Sequence, residues 1–570
     1  MTRHIPPTGD TKTTRLTGTL ALALTVGLAL AACSGDKPAT TASAGASDSA
    51  GTAGTTAATS GDTATEAAGP TDSAEGAEDT AAPTGGTINT VLWYAPSNFN
   101  PATSSSSPDY TVARLGFDTL LRKGDNGEYL GGLASDWEAA SATEYTFTIR
   151  PDATCADGTA ITPTVVAESF KYLTTAEESG AQNWSKLAFG SRDATFTADD
   201  AAGTLKIELA QPYSQLLGGV TLVGTGVICP AGLADPEALT AGQIPGAFSG
   251  PYTLTGYEAG VSATYTLRDD YAAWPAWTGV TGAPATTINI TVETDSNTSA
   301  NLLESGGLDL ARFYDANATR FTDNANFTYV TDNSTANYLL FNEDPSSVFA
   351  DNQELRAAVA QAVSASAFND AAGDGLGKLM TSVADSDLAC VSTDEALLQP
   401  YDPAAASAVL SGKTIRLLTM TNWDSAVDYV SEALRAAGAT VDVTSLDAAD
   451  WRKQLRTEPT TWDMTINAEI NQSGLIHQSI QSSLGDSYGE GGVNYTSSDN
   501  PEGVAALAAA MTSVDPDVQC PSLIEAQETI LERVDVAPLA TSTHYIVARQ
   551  GVNVYVFSGY WDISAVRITG

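Results

Sequence analysis

Residues 414–470 read TIRLLTMTNWDSAVDYVSEALRAAGATVDVTSLDAADWRKQLRTEPTTWDMTINAEI. Three strand-like runs, TIRLLTM, TVDVTSL and DMTINAEI, alternate with two helical runs, SAVDYVSEALRAAG and AADWRKQLRT. A parallel strand pair needs a crossover of about a dozen residues, usually a helix. Strand, helix, strand, helix, strand at this spacing therefore predicts an α/β lobe with parallel pairing.

The flanking segments are of the same kind. Upstream, DNQELRAAVAQAV opens with Asp351 and Glu354 in a capping-box-like arrangement, and Leu355, Val359 and Val363 form one buried stripe. Asp402-Pro403 starts a helix by the cap-then-proline rule; it runs to Leu410 and ends at Ser411-Gly412. Further back, TEYTFTIR (Thr143 to Arg150) alternates Tyr, Phe and Ile on one face, as a half-buried strand does. Thr162 caps the next helix with Pro163 at its first position, and Val166, Phe170 and Leu173 share a face. Thr87 to Tyr94, Thr204 to Leu209 and Ala263 to Arg268 read as further strands, and no tandem repeat is evident.

The chain has 570 residues, 68 acidic against 26 basic, for a formal charge of −42. Such a field repels nucleic acid and anionic lipid, so no nucleic-acid role is expected. All nine Trp fall after Gly85, in a stretch long enough for two or more domains.

Arg3, His4, Lys12 and Arg15 precede an uncharged run from Leu16 to Ala32, the pattern of a secretory signal. The run is short for a membrane span, which needs ~20 residues. It ends Leu30-Ala31-Ala32-Cys33, which resembles the bacterial lipobox. Residues 1–32 are therefore expected to be a lipoprotein signal peptide, and Cys33 the lipidation site, holding the exported protein on the outer face of the cytoplasmic membrane. Residues 33–84 are nearly all Ala, Thr, Ser, Gly and Asp and read as a disordered tether, with a coil span of ~40 Å. Four of the five Cys remain: Cys155, Cys229, Cys390 and Cys520. An even set in an oxidising compartment suggests two disulfides, and three pairings are possible.

The order of motifs resembles the large extracellular solute-binding proteins of ATP-binding-cassette importers, the family with dipeptide, oligopeptide and nickel binders. NFNP (Asn98 to Pro101) is similar to its turn after the first strand, FDTLL (Phe117 to Leu121) and LASDW (Leu133 to Trp137) to the segments that follow. YTFTIRPDATCADGTAITPTVVAESF (Tyr145 to Phe170) is the longest likeness. GPYTLTGYEAG (Gly250 to Gly260), SGGLDL (Ser305 to Leu310), NYLLFNEDPSSVFADNQELRAAVAQAV (Asn337 to Val363) and YDPAAASAVLSG (Tyr401 to Gly412) continue it in order. Three places depart from the pattern. Cys155 replaces an aromatic, Ala365 and Ser366 replace an Asp-Arg pair, and NAEINQSG stands where peptide binders carry an Asp for the peptide's amino terminus.

The resemblance implies an α/β, two-lobed periplasmic-binding-protein-like fold, with a ligand cleft between lobes joined by a hinge. Lobe I would span 85–285, lobe II 286–535, and 536–570 would return to lobe I. Cross-lobe disulfides would oppose closure, so the pairs implied are Cys155–Cys229 and Cys390–Cys520. The implied function is capture of a solute, a peptide first of all, and its delivery to a permease and its ATPase, with no bond made or broken. No G-x-x-x-x-G-K-[ST] loop is present, and no catalytic residue, cofactor or resident metal is expected. A monomer is expected. Ligand contacts belong on loops after strand ends. The candidates are Tyr94, Asn98 and Phe99 in lobe I, and Asn422, Trp423, Glu469 and Asn471 in lobe II, with Trp423 the foremost.

Three other readings compete. GDSYG (Gly485 to Gly489) fits G-x-S-x-G, with His477 or His544 as its base, but HQSIQSSL before it and EGGVNY after it do not make a nucleophile elbow. A nickel-chelate binder would need few protein ligands. A lipid-anchored solute sensor would use the same fold.

Overall fold

The computed structural model describes residues 85–421 and 423–569. The expected signal, tether and lipidated Cys33 lie outside the described residues, as does Asn422.

The 414–470 stretch folds as its alternation dictates. Strands Thr414–Met420 and Thr440–Leu446 pair in parallel, Thr414 beside Thr440, and Met464–Ile470 runs parallel on the other side, with Leu417 beside Met464. The crossover helices are Asp424–Ala436 and Ala448–Thr457. Two long strands, Phe327–Phe341 and Val536–Arg549, extend this sheet in antiparallel fashion, and Leu310–Phe313 forms its edge. Six strands thus form the second-lobe sheet. Val536–Arg549 lies inside it, so the chain's return to the first lobe, placed near residue 535 by the resemblance, comes only after Arg549.

The first lobe holds two four-stranded sheets. In one, Thr87–Leu92 runs parallel to Thr287–Val292, followed by antiparallel Ser262–Leu267 and Tyr252–Glu258, so the crossing expected at 285–286 comes only after Val292. In the other, Ala134–Ser141, Glu144–Ile149, Thr204–Leu209 and Ala194–Asp199 are antiparallel. Tyr145, Phe147 and Ile149 point inward, onto a helix, Pro163–Thr175, whose Val166, Phe170 and Leu173 are buried. Thr162 caps that helix as its sequence predicts.

One cap differs. The helix Gln353–Ala362 is capped by Asn352, whose side chain accepts from the Leu355 amide, and not by Asp351. Asp351 takes a left-handed backbone instead (φ 48°), a conformation that Asp tolerates better than most residues. Both side chains are good caps, and register alone chose between them.

After Arg549 the chain closes the first lobe. Arg567–Ile568 pairs with Ala283–Pro284 and Val552–Asn553. Arg122 bridges the buried carboxylates of Asp118 and Asp562, at 2.9 and 2.7 Å. Losing one partner of such a buried set costs ~3–5 kcal/mol, because a charge is left unpaired. The sheets of the two lobes adjoin at Asp309, whose carboxylate accepts from the backbone and side-chain nitrogens of Asn89 at 2.9 and 3.0 Å.

Each disulfide stays within its own lobe. Cys155 joins Cys229, and Cys390 joins Cys520, the pairing that the resemblance implies.

Candidate ligand cleft

The lobes touch at several points around their rim. The Ser214 amide donates to Met511 O at 3.2 Å, and Gln215 Nε2 to Gln519 Oε1 at 3.0 Å. Lys186 Nζ reaches the carbonyls of Gly491 and Gly492, and Lys123 Nζ donates to Gly474 O at 3.3 Å. This is a closed arrangement. Between the lobes it leaves a cavity of about 570 Å³.

The first-lobe wall begins where the strand Thr87–Leu92 ends. Tyr94 projects from the following loop, 49% exposed, into the cavity. The Ser106 hydroxyl caps the helix Ser107–Gly116, which carries Tyr110 to the wall. Tyr110 sits edge-on to Trp184, with centroids 5.3 Å apart, and Trp184 is held by its Nε1–H donating to Ser104 O at 2.9 Å.

The second-lobe wall is polar. The helix Ala448–Thr457 buries Trp451 and Leu455 and turns Arg452 and Arg456 toward the cavity. Arg456 lies over the Tyr488 ring, 4.8 Å from its centroid, and donates to the Tyr495 hydroxyl at 3.2 Å. Its Nε is buried without a partner, and so are Oε1 of Gln472 and Oε1 of Gln481. An unpaired buried polar atom costs ~1–3 kcal/mol, which a ligand's own donors or acceptors would relieve.

Glu469, near the end of the strand Met464–Ile470, forms the floor. It accepts from the Tyr338 hydroxyl and the Ser482 hydroxyl, each at 2.9 Å, and Asn467 Nδ2 donates to the same Tyr338 oxygen at 2.8 Å. Burial pushes the Glu469 carboxyl up to about 7, against the pull of those hydrogen bonds. The floor is therefore a carboxyl that changes charge near neutrality.

Of the residues that the sequence singled out, Tyr94 and Glu469 line the cavity together. Asn98, Phe99, Trp423 and Asn471 do not line it. Asn98 shapes the turn that bears Tyr94: its amide donates to Asp109 Oδ1 at 3.1 Å and its side chain to Thr103 Oγ1 at 2.9 Å. Phe99 is buried edge-on against Tyr257. Asn471 is 4% exposed and spends its side-chain amide on Leu475 O and Ser479 Oγ. Trp423 packs against the second-lobe core at the start of the helix Asp424–Ala436, which explains a large ring in that loop. Tyr110, Arg452, Arg456, Gln472, Gln481, Tyr488 and Tyr495 escaped the sequence reading. The WRKQLR run held the one usable signal, two arginines four apart on one helix face.

The GDSYG segment forms a tight turn and not a strand-to-helix elbow. The Ser487 hydroxyl donates to Glu490, while His477 is buried edge-on against Tyr213. Burial holds the His477 imidazole down to about 3. His544 Nδ1 accepts from Arg312 at 2.8 Å, in another part of the molecule.

Comparison with known proteins agrees with this architecture. Residues 128–487 match the model of the bacterial extracellular solute-binding proteins, family 5 Middle. A substrate-binding protein from Microbacterium hydrocarbonoxydans, solved with 4-hydroxybenzoate hydrazide, is 34% identical with a TM-score of 0.76, over 85% of this chain and 100% of that one. The Helicobacter pylori protein DppA, solved with the peptide STSA, shares the fold at 15% identity and TM-score 0.71, over 86% of this chain and 99% of that one. The probable D,D-dipeptide-binding periplasmic protein DdpA of Escherichia coli is 31% identical over 176 residues, 29% of this chain. The match covers about a third of that relative's length (32%). With its two lobes, its closed cleft and this match over most of the folded part, the chain belongs to the bacterial extracellular solute-binding proteins of family 5.

Proposed function

We propose that this protein captures a short peptide outside the cytoplasmic membrane and delivers it to an ATP-binding-cassette permease. The observation that carries the reading is the cavity itself, about 570 Å³, walled by both lobes and holding buried polar atoms without partners. Small-molecule sites typically occupy about 300–1,000 Å³, so this volume suits a short peptide better than an extended one. A ligand touching both walls gains contacts only in the closed state and so favours closure, which a docking permease would read. The Cys33 anchor keeps the protein beside that permease. Partition into detergent that is lost in Cys33→Ala supports the anchor, and partition that persists contradicts it.

A second reading has one observation in its favour. The 34% identical structure holds an aromatic hydrazide and not a peptide. Native mass spectrometry of the protein purified without unfolding separates the two. Extra masses spaced by amino-acid residues, lost on denaturation, support peptide capture. A single mass of an aromatic amide or hydrazide moves the substrate to that class, and a bare protein mass argues against tight capture of either.

A further inference from the structure

The chain is strongly acidic, yet one wall of its cleft is not. Arg452 and Arg456 are four residues apart on one face of Ala448–Thr457, with Lys453 beside them, and all three line the cavity. Like charges at this spacing weaken a helix by a few tenths of a kcal/mol. In a chain with 68 acidic residues, a carboxylate partner would be easy to supply. Among the described residues none of the three forms an ion pair, whereas Arg416 pairs with Asp463 and Arg533 with Asp535 elsewhere in the same lobe. Asp447 caps this helix through the amides of Ala449 and Asp450, and Asp450 is exposed at its start.

The facing groups leave the charge unanswered. From the first lobe, Tyr94 and Tyr110 lie within the field of Arg452. Asp109 is behind them, and its carboxylate is taken up by the amides of Ser97, Asn98 and Ser105. Glu469 is the one carboxyl lining the cavity among the described residues, and the hydroxyls of Tyr338 and Ser482 occupy it. The Arg456 guanidinium is clamped by Tyr488 and Tyr495, so its fork is fixed in direction, with a buried Nε–H unused. A fixed, desolvated guanidinium matches a carboxylate better than any neutral group.

We propose that the captured solute is anionic, and that its acidic group docks on Arg452 and Arg456. The proposal rests on the capture reading and narrows it. A peptide with an acidic side chain, or a non-peptide carboxylate, fits the cleft, and a solute of net positive charge is rejected.

Isothermal titration of the full-length protein, freed of endogenous ligand, tests this with the C-terminal amides of Ala-Glu, Ala-Gln and Ala-Lys, in which the Glu side chain is the sole carboxylate, and with 4-hydroxybenzoate against its hydrazide. The acidic member of a set should bind at least ~10-fold tighter than its neutral or basic partner. The preference should shrink between 20 and 200 mM salt, as screening requires. The Arg452 side chain makes no hydrogen bond among the described residues, so Arg452→Gln disturbs the fold least, and it should cut the preference severalfold. Arg456→Gln, checked for an unchanged melting temperature, should cut it further. Equal binding within every set, or preference for the basic member, overturns the anion proposal and leaves capture standing. Failure of every compound to bind overturns both.

Discussion

Glu469 is a carboxyl placed where its charge is expensive. Burial raises it from 4.5 to about 7, so at pH 7 the folded protein holds roughly half a proton there. The unfolded chain releases that proton at its ordinary value. Below pH 4.5 both states are protonated and the folded state keeps its full advantage, which falls away as pH rises through 7. Glu469→Gln has no charge to bury. It should therefore gain stability relative to the parent between pH 5 and pH 8, by ~1–3 kcal/mol in denaturant titrations. An identical difference at the two pH values would mean that Glu469 is already solvated in the folded protein. Tyr94 and Glu469 were legible in the sequence because both follow from strand ends. Arg452 and Arg456 were not, because nothing local tells a helix face that meets solvent from one that meets another lobe. Trp423 misled for the opposite reason: a bulky ring in a polar loop can serve the core beneath it as well as a ligand.

At the scale of elements, the hairpin Val556–Trp561 shows how the chain's tail meets the cleft. Ser558 and Gly559 form its two-residue turn with φ of 51° and 78°, the positive values that a primed hairpin turn requires. Phe557 stacks on Trp277 with centroids 5.1 Å apart, which ties the hairpin to the first lobe. Its tip meets Gly474, in the loop after the second-lobe strand Met464–Ile470. A β-carbon on Gly474 would come within 3.1 Å of Ser558 and of Lys123 Nζ, and its φ of 59° favours glycine in any case. Gly474→Ala should raise the ligand Kd about 5- to 10-fold, through ~1 kcal/mol of lost closure. A lower melting temperature with unchanged Kd would show that the contact is structural and plays no part in closing. The parallel 414–470 unit was legible nearly to the residue, because each strand and helix there is written in its own periodicity. The long strands Phe327–Phe341 and Val536–Arg549 were harder to see. Their partners lie more than 100 residues away in sequence, as Thr335 beside Ile470 and Leu310 beside Ala548 show, and no local pattern reports such pairings.

At the scale of the molecule, two lobes with private disulfides share one cleft. Buried ion sets such as Arg122 with Asp118 and Asp562 hold the returning tail to the first lobe and do not cross the cleft. Between the lobes run hydrogen bonds at Ser214, Gln215, Lys123 and Lys186, each worth ~0.5–1.5 kcal/mol net, together with apolar contacts such as Tyr213 edge-on to His477. A solute bound by both walls adds contacts that exist only in the closed state and so shifts the balance toward it. Small-angle X-ray scattering of the stripped protein, with and without its solute, puts this to the test. Solute should contract the radius of gyration toward that of the closed form. A solute that binds with no change in the scattering profile would contradict capture by closure.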